Sequence, residues 1–344
     1  DANFVAACSG TPIENAASDF IPCLKFLAHG KDDADNRMFS SLTIDEIARI
    51  LGKSSDLSAI SMYHGYISGT MTRRKLDDIM TGLPKKNFGF IKVNPYTSTM
   101  TLADGTEVKL PGDYKAQLAL YEMALRTPRQ FDEIIAKGKK VSIEDTPTDI
   151  GVCTAQLNHL QVVSTCPAHY LEGTDSIKFD AIVELVRERR KQGKSGIIFH
   201  ESKVAAQALN EVLKKEFGED LVVHIDGDVS QALRPGRVDR FQNGEAPIMN
   251  ATIHTMGTSG NLTQADYILF VNSQWKPSTR DQAIGRARRI DPKRNYEGRE
   301  LEIMFLDFDH PVSIDVEKRK LVTRKGILVD MLLDLDIRPE VLAA

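Results

Sequence analysis

The sequence has few of the features that mark secreted or membrane proteins. Its 344 residues include four cysteines and one tryptophan, and the longest apolar runs, such as 267–271, stay far below the ~18 residues that cross a bilayer. No basic segment precedes the apolar stretch 4–8, as it would in a signal peptide. The cysteines show no C-x-x-C spacing and no histidine cluster, so the usual zinc templates fail. We expect an intracellular chain with reduced thiols and no metal ligands.

The sequence also lacks a strong excess of one charge. Lys and Arg number 44 against 48 Asp and Glu, a net charge of −4, so the overall charge neither demands nor excludes a nucleic acid partner. The hydrophobic share of 42% and charged share of 27% are those of ordinary soluble domains. At ~150 residues per domain, the length predicts about two domains.

A complete phosphate-binding P-loop is missing as well. Gly52-Lys53-Ser54 and Gly193-Lys194-Ser195 look like the end of such a loop. The motif needs a glycine five residues before the Gly-Lys pair, where Ile47 and Glu188 stand instead. Neither stretch is therefore expected to bind a nucleotide.

What the sequence does contain is an alternation of helices and short apolar strands after residue 177. This alternation predicts an α/β domain whose parallel sheet is covered by helices on both faces and binds ligands at the carboxyl ends of its strands. The expected helices are 177–192, 204–217, 235–242 and 278–290, and the expected strands are 196–200, 221–225, 247–253, 267–271 and 301–308.

The first half is expected to be mainly helical, with one hairpin. Asp104-Gly105 between β-prone runs supplies the turn of that hairpin. The tail is expected to form an amphipathic helix over 314–336, interrupted at Gly326, either as a brace or as a plain surface helix. We divide the chain into 1–173, 174–310 and 311–344. The predicted helices of the first half are 17–28, 43–51, 73–80, 114–125 and 153–163.

A Gln-x-x-Gly-Arg-x-x-Arg run at 282–289 carries the clearest chemistry. Arg286 and Arg289 are three residues apart, so on a helix both guanidinium groups would lie on one face and could bind adjacent oxygens of one anion, such as a γ-phosphate. A solvated basic helix face explains the run equally well.

The arginine run is the last of a series of motifs spread over about 300 residues. In chain order they are Ser9-Gly10-Thr11-Pro12-Ile13-Glu14-Asn15, Arg73-Arg74-Lys75 with Leu83-Pro84-Lys85-Lys86, the stretches 117–121 and 157–167, Ile197-Ile198-Phe199, Ile225-Asp226-Gly227, 257–266 and Trp275-Lys276-Pro277. In this order they resemble the motifs of the Swi/Snf-like ATPases of helicase superfamily two.

The resemblance implies a DNA-dependent ATP motor with two RecA-like lobes that moves along double-stranded DNA. The family's P-loop lysine and Mg²⁺-binding Asp-Glu pair precede the first motif found here, so ATP and Mg²⁺ would bind together with a first lobe on the same protein or a separate chain. On this reading 1–173 holds the end of lobe one plus helical protrusions, 174–310 is the second RecA-like lobe, and 311–344 is a brace. The fragment alone is expected to be inactive, and its location cytoplasmic or nuclear.

The resemblance also implies roles for individual residues. Arg286 and Arg289 would be arginine fingers. The nucleotide-binding and coupling residues would be Gly257, Gln282, Gly10, Thr11 and Pro12. The DNA-binding residues would be Trp275, Thr255, Thr258, Ser259, His200 and Ser202.

Several positions depart from the family pattern. Glu14 replaces the usual glutamine, Asn272 an aspartate, Lys276 an asparagine and Arg288 a histidine. These changes indicate a divergent branch, such as a viral or bacterial one. A helicase lobe that binds DNA or a protein without hydrolysing ATP is the alternative interpretation.

Overall fold

The computed structural model describes residues 82–126, 150–256, 260–291 and 299–334, with Asp19, Pro22, His64, Ile79 and Met80 as single positions. The chain divides into two compact units. The larger comprises Gly82–Gln274 and Thr279–Arg319, and the other comprises Asp1–Thr81, Trp275–Ser278 and Lys320–Ala344. The predicted helices at 17–28, 43–51 and 73–80 lie outside the described residues, apart from single positions.

The described elements alternate much as the sequence predicts. The strands are β1 (Lys85–Asn94), β2 (Thr99–Thr101), β3 (Glu107–Lys109), β4 (Gly196–His200), β5 (Val222–Ile225), β6 (Ile248–Thr252), β7 (Tyr267–Phe270) and β8 (Glu300–Phe308). The helices are α1 (Lys115–Arg126), α2 (Ile150–Thr165), α3 (Ile177–Lys191), α4 (Lys203–Phe217), α5 (Arg234–Gln242), α6 (Ile253–Met256), α7 (Pro277–Ala287) and α8 (Ile314–Asp334).

The strands form one mixed sheet in the order β3-β2-β1-β8-β7-β4-β6-β5. From β1 to β5 in this order, all neighbouring strands are parallel. Successive side chains of a strand point to opposite faces of the sheet. Ile198 accordingly belongs to a core with α3 and α4 on one face, whereas Ile197 belongs to a second core with α5 and α7 on the other. The prediction of an α/β sheet with helices on both faces is therefore confirmed.

The hairpin is also confirmed. β2 and β3 pair antiparallel, and Gly105 lies at the turn with φ of +86°, a left-handed conformation that glycine adopts without strain. The carbonyl oxygen of Leu102 accepts a hydrogen bond of 3.0 Å from the Gly105 N–H.

β1 is the main element that the sequence analysis missed. It pairs in parallel with β8, so that Phe90 lies opposite Phe305, and it joins the hairpin to the sheet. Ile91 and Val93 are buried while Phe88 and Phe90 are exposed, so apolar residues occupy both faces and obscure the alternation. The boundary predicted near residue 174 consequently lies inside the larger unit, which starts at Gly82.

Three ion pairs hold the first residues of α8, up to Arg319, within the larger unit. Lys178 pairs with Asp315 at 2.7 Å and Arg319 with Asp307. Lys318 donates to Glu201 Oε2 over 2.5 Å and to Gln161 Oε1 over 2.9 Å. α8 then continues through Gly326, so the predicted interruption there is wrong. A helix tolerates an internal glycine at a cost of about 1 kcal/mol.

Candidate nucleotide and DNA interface

The arginine motif lies at the end of α7, and this helix is shorter than the sequence predicts. α7 ends at Ala287 rather than near 290, so Arg289 lies two residues beyond its last turn. The expectation that Arg286 and Arg289 share one helix face is therefore wrong as stated.

The two arginines nevertheless lie close enough to influence each other. Both are half-buried, and burial, followed by the positive charge of Arg286, lowers the pKa of the Arg289 guanidinium. Arg289 Nε donates to the carbonyl oxygen of Gly285 over 3.3 Å. The end of α7 thus holds two neighbouring cations, an arrangement that an anion with several oxygens would stabilise.

The loop before β7, which belongs to the motif at 257–266, contacts the same helix end. The Leu262 N–H donates to the carbonyl oxygen of Arg286 over 2.9 Å, and an Arg289 guanidinium N–H donates to Asn261 Oδ1. The side chain of Arg289 is therefore oriented by a residue of another motif. Sequence spacing could not show this contact, because 28 residues separate Asn261 from Arg289.

Arg288, which stands where the resembled family has histidine, has a structural role. It is 9% exposed, and its Nε donates to the carbonyl oxygen of Pro84 over 2.7 Å. Asn272, another departure, is also buried, and its amide donates to Thr165 Oγ1 over 2.9 Å. An uncharged amide avoids the cost of burying a carboxylate at that position.

Gln282 is exposed on α7. It precedes Arg286 by four residues, and residues four apart lie on one face of a helix. Gly257, Thr258 and Ser259 lie outside the described residues, as do Gly10, Thr11 and Pro12, so their roles stay predictions.

The predicted DNA-binding residues follow the carboxyl ends of neighbouring strands. Ser202 comes after β4, and its hydroxyl accepts the N–H of Ala205 over 3.4 Å at the start of α4. Thr255 comes after β6, within hydrogen-bond distance of Thr252, with 2.9 Å between their hydroxyl oxygens. Trp275 follows β7 and is 36% exposed. For these residues DNA contact stays a prediction.

His200 does not fit a DNA-contacting role in this conformation. Its side chain is completely buried at the end of β4, beneath α4 and on the sheet face shared with Asn250 and His224. Burial, followed by the charges of His224 and Lys178, lowers its pKa to about 3. A neutral, enclosed imidazole cannot bind a phosphate of the DNA backbone.

A groove beside β5 went unnoticed in the sequence analysis. It has a volume of about 700 Å³ and lies between α4, β5 and α5. Burial alone would raise the pKa of Asp226 there, but His224 Nε2 at 3.2 Å and hydrogen bonds from Gln207 and the Asp228 N–H lower it below its usual value. Arg237 donates to the carbonyl oxygen of His224, so α5 covers part of the free edge of the sheet.

The part of the chain that the structure describes holds neither a cluster of metal ligands nor a membrane-spanning helix. Within 82–126, 150–256, 260–291 and 299–334, no group of three or more His, Cys, Asp or Glu side chains could hold a metal ion. Among the helices of those ranges, none is both long and apolar enough to cross a membrane.

Residues 177–291 match the helicase conserved C-terminal domain. The chain is similar to the putative ATP-dependent helicase/translocase YwqA of Bacillus subtilis, with 31% identity over 147 residues, covering 41% of this chain and 16% of that protein. It is 24% identical over 336 residues to human TATA-binding protein-associated factor 172, covering 85% of this chain and 18% of that protein. An ISWI chromatin-remodeling complex ATPase of Arabidopsis thaliana is 22% identical over 302 residues, covering 86% of this chain and 26% of that protein.

Among solved structures, the C-terminal part of the Fun30 ATPase domain is similar with a TM-score of 0.49 and 15% identity, covering 74% of this chain and 98% of that one. The Sulfolobus solfataricus SWI2/SNF2 ATPase core in complex with dsDNA has a TM-score of 0.44 and 17% identity, covering 87% of this chain and 61% of that one. The chain spans between 16% and 26% of the length of the curated relatives named here. The matched domain and these relatives support the resemblance of the chain to the C-terminal part of the Swi/Snf-like ATPases of helicase superfamily two.

Proposed function

We propose that the chain is the C-terminal part of an ATP-dependent translocase on double-stranded DNA. The observation that carries the proposal is the pair of half-buried, mutually repelling guanidinium groups of Arg286 and Arg289 at the end of α7. Such a pair gains most from an anion whose negative charge increases during reaction, as it does on the γ-phosphoryl oxygens of ATP.

In this mechanism Arg286 and Arg289 act as arginine fingers. Asn261 and the Gly285 carbonyl hold the Arg289 guanidinium, which reduces the conformational freedom that binding would otherwise remove. Neutralising the charge of the transferring phosphoryl group contributes a factor of ~10³ or more in rate. Gln282, on the face of α7 that it shares with Arg286, orients the nucleotide or the attacking water.

The remaining groups of the ATP site come from a first lobe, on the same protein or on a separate chain. That lobe supplies the P-loop lysine and the Mg²⁺ ligands, and Mg²⁺ neutralises part of the phosphate charge when bound. Gly257 allows close approach of the motif at 257–266 to the nucleotide, and Gly10, Thr11 and Pro12 form the turn that transmits the nucleotide state. Hydrolysis then depends on closure of the two lobes.

DNA is bound through its phosphate backbone, because a translocating motor must accept every sequence. Ser202 and Thr255 follow neighbouring parallel strands, and we place DNA contacts there together with Thr258, Ser259 and Trp275. One support is the solved SWI2/SNF2 ATPase core named above, which is a complex with dsDNA. The site of action is inside the cell, in the cytoplasm or the nucleus.

Displacement of a triplex-forming strand tests translocation by the complete protein that contains this chain. A third DNA strand bound to a duplex should be displaced with ATP, with the two duplex strands still paired, and the Arg286→Ala variant should leave the triplex intact. If the native protein binds the duplex tightly but leaves the third strand in place even when ATP is present, the non-hydrolysing binding module is favoured instead.

A further inference from the structure

Two phenylalanines of β1 project into solvent from one face of the sheet. Phe88 is 50% exposed and Phe90 is 45% exposed, whereas Gly89 and Ile91 between and after them are buried. Residues two apart on a strand lie about 7 Å from each other on the same face. We call Lys86, Phe88, Phe90 and Lys92 the β1 aromatic face.

This face is basic as well as aromatic. Lys86 and Lys92 flank the two rings at alternate positions of β1, and both are exposed. The guanidinium carbon of Arg319 lies over the Phe90 ring, 4.7 Å from its centroid, so a base can stack on Phe90 only after this guanidinium has moved off the ring. Cations interleaved with exposed aromatic rings complement a polyanion whose bases can stack.

The ring of Phe90 is held on a rigid support. It stacks on Phe305 with a centroid distance of 5.5 Å, and Phe305 stacks on Phe270 at 5.3 Å. The row continues to Phe199 at 5.8 Å from Phe270. A fixed ring loses little conformational entropy when a ligand covers it.

The order of residues along β1 also matches a known base-stacking strand. RNP1, the strand of RNA-recognition modules whose aromatics stack on bases, has the pattern K/R-G-F/Y-G/A-F-V-x-F/Y. Residues 86–93 read Lys-Asn-Phe-Gly-Phe-Ile-Lys-Val, with matching residues at the basic position, at both central aromatics and at the glycine between them. Asn87, Ile91 and Val93 depart from the pattern, Ile91 conservatively.

Gly89 also has a structural reason to be glycine. A Cβ atom there would lie 3.1 Å from the Cβ of Ala103, on the buried side of β1. The glycine alone is therefore not informative, and the inference depends on the exposed rings and the lysines.

We propose that the β1 aromatic face binds single-stranded nucleic acid by stacking two bases on Phe88 and Phe90 while Lys86 and Lys92 contact phosphates. The bases of a duplex are already stacked on one another, so an unpaired strand is required. The choice of DNA as the strand rests on the proposed function, whereas the stacking chemistry does not. The occupant is thus an unpaired DNA segment beside the duplex on which the motor moves.

The test is fluorescence anisotropy of a labelled 15-nucleotide oligo-dT with the complete chain. The Phe88→Leu/Phe90→Leu double variant keeps apolar bulk against Phe305 but loses the aromatic faces, and Phe88→Tyr/Phe90→Tyr restores them. We expect the leucine variant to bind at least about fivefold more weakly and the tyrosine variant to bind like the native chain. Val312→Ala and Leu171→Ala, which remove exposed apolar side chains elsewhere, should leave the affinity unchanged. Circular dichroism checks that each variant is folded.

Several results would overturn the proposal. They are equal binding by the native and leucine variants, tighter binding of oligo-U than of oligo-dT, and self-association of the native chain that the leucine variant abolishes. Duplex binding and triplex displacement are measured on the same variants. If the leucine variant loses oligo-dT binding but still translocates, the result supports this proposal independently of the proposed function. If the native protein binds oligo-dT but does not translocate, only the proposed function is removed.

Discussion

Lys178 and Asp315 form an ion pair that is shielded from solvent, with Nζ 2.7 Å from Oδ2. The ammonium group also donates to the carbonyl oxygen of Val271 over 2.7 Å, and the carboxylate accepts the Phe308 N–H over 3.1 Å. These contacts join α3 and α8 to the carboxyl ends of β7 and β8. The pair therefore fixes the start of α8 on the sheet.

Replacing Lys178 by methionine should destabilise the chain strongly. The substitution leaves a buried carboxylate without its counter-ion, which costs about 3–5 kcal/mol. Urea unfolding of the complete chain measures the change in the free energy of unfolding. The Lys178→Met/Asp315→Leu double variant should recover much of the loss. Lys115→Met is the control, because Lys115 forms an exposed pair of 3.8 Å with Asp113, and it should change stability by less than about 1 kcal/mol. An equal loss of stability in Lys178→Met and Lys115→Met would contradict the account.

Gly196 should not tolerate a side chain. A Cβ at this position would lie 2.0 Å from the ring of Tyr267, which is itself completely buried. Gly196→Ala is therefore expected to cost about 1–3 kcal/mol through overpacking. Gly236→Ala in α5 is the matched control, because a Cβ there meets no atom within 4 Å, and it should stabilise by about 0.5–1 kcal/mol. Thermal unfolding of both variants measures these changes. A Gly196→Ala protein as stable as the native chain would contradict the prediction.

His200 should make the fold sensitive to mild acid. Its pKa is about 3 in the folded chain, against 6.5 for an ordinary histidine, so the unfolded state takes up a proton first as the pH falls. Stability is fully present above pH 6.5 and is lost progressively between about 6.5 and 3, with a slope of at most about 1.4 kcal/mol per pH unit. His200→Leu should flatten the dependence of the unfolding free energy between pH 7 and 5. Asp226 cannot imitate this effect, because its lowered pKa places its titration at more acidic pH. Identical slopes for the two proteins would contradict the assignment.

The second half of the fold could be predicted because its apolar residues repeat with clear helical or strand periods. The strand at 196–200 and the starts of α3 and α8 coincide with the structure. β1 was missed because phenylalanines on the exposed face interrupt the alternation that a half-buried strand normally shows. The end of α7 was missed because Arg288 is held by Pro84, over 200 residues earlier, and local spacing carries no sign of that contact.

The candidate site, like the fold, could be predicted from the sequence only in part. The arginines could be found from their spacing and from the motif order, whereas the orientation of Arg289 by Asn261 and Gly285 required the structure. His200 is the last residue of the apolar strand β4, and its DNA contact was expected from the family resemblance. Its burial comes from α4 packing over that end of the sheet, and no local pattern reveals it.

The most direct test of the central claim is ATP hydrolysis by the complete protein containing this chain, measured with and without duplex DNA. The native protein should be stimulated by DNA, and Arg286→Ala should lower the stimulated rate by ~10³ or more. Arg286→Lys should also be impaired, since lysine lacks the bidentate guanidinium. Arg280→Ala, on the same helix but paired with exposed Asp281 at 3.0 Å, should hydrolyse ATP at the native rate. Full DNA-stimulated turnover by Arg286→Ala would contradict the account.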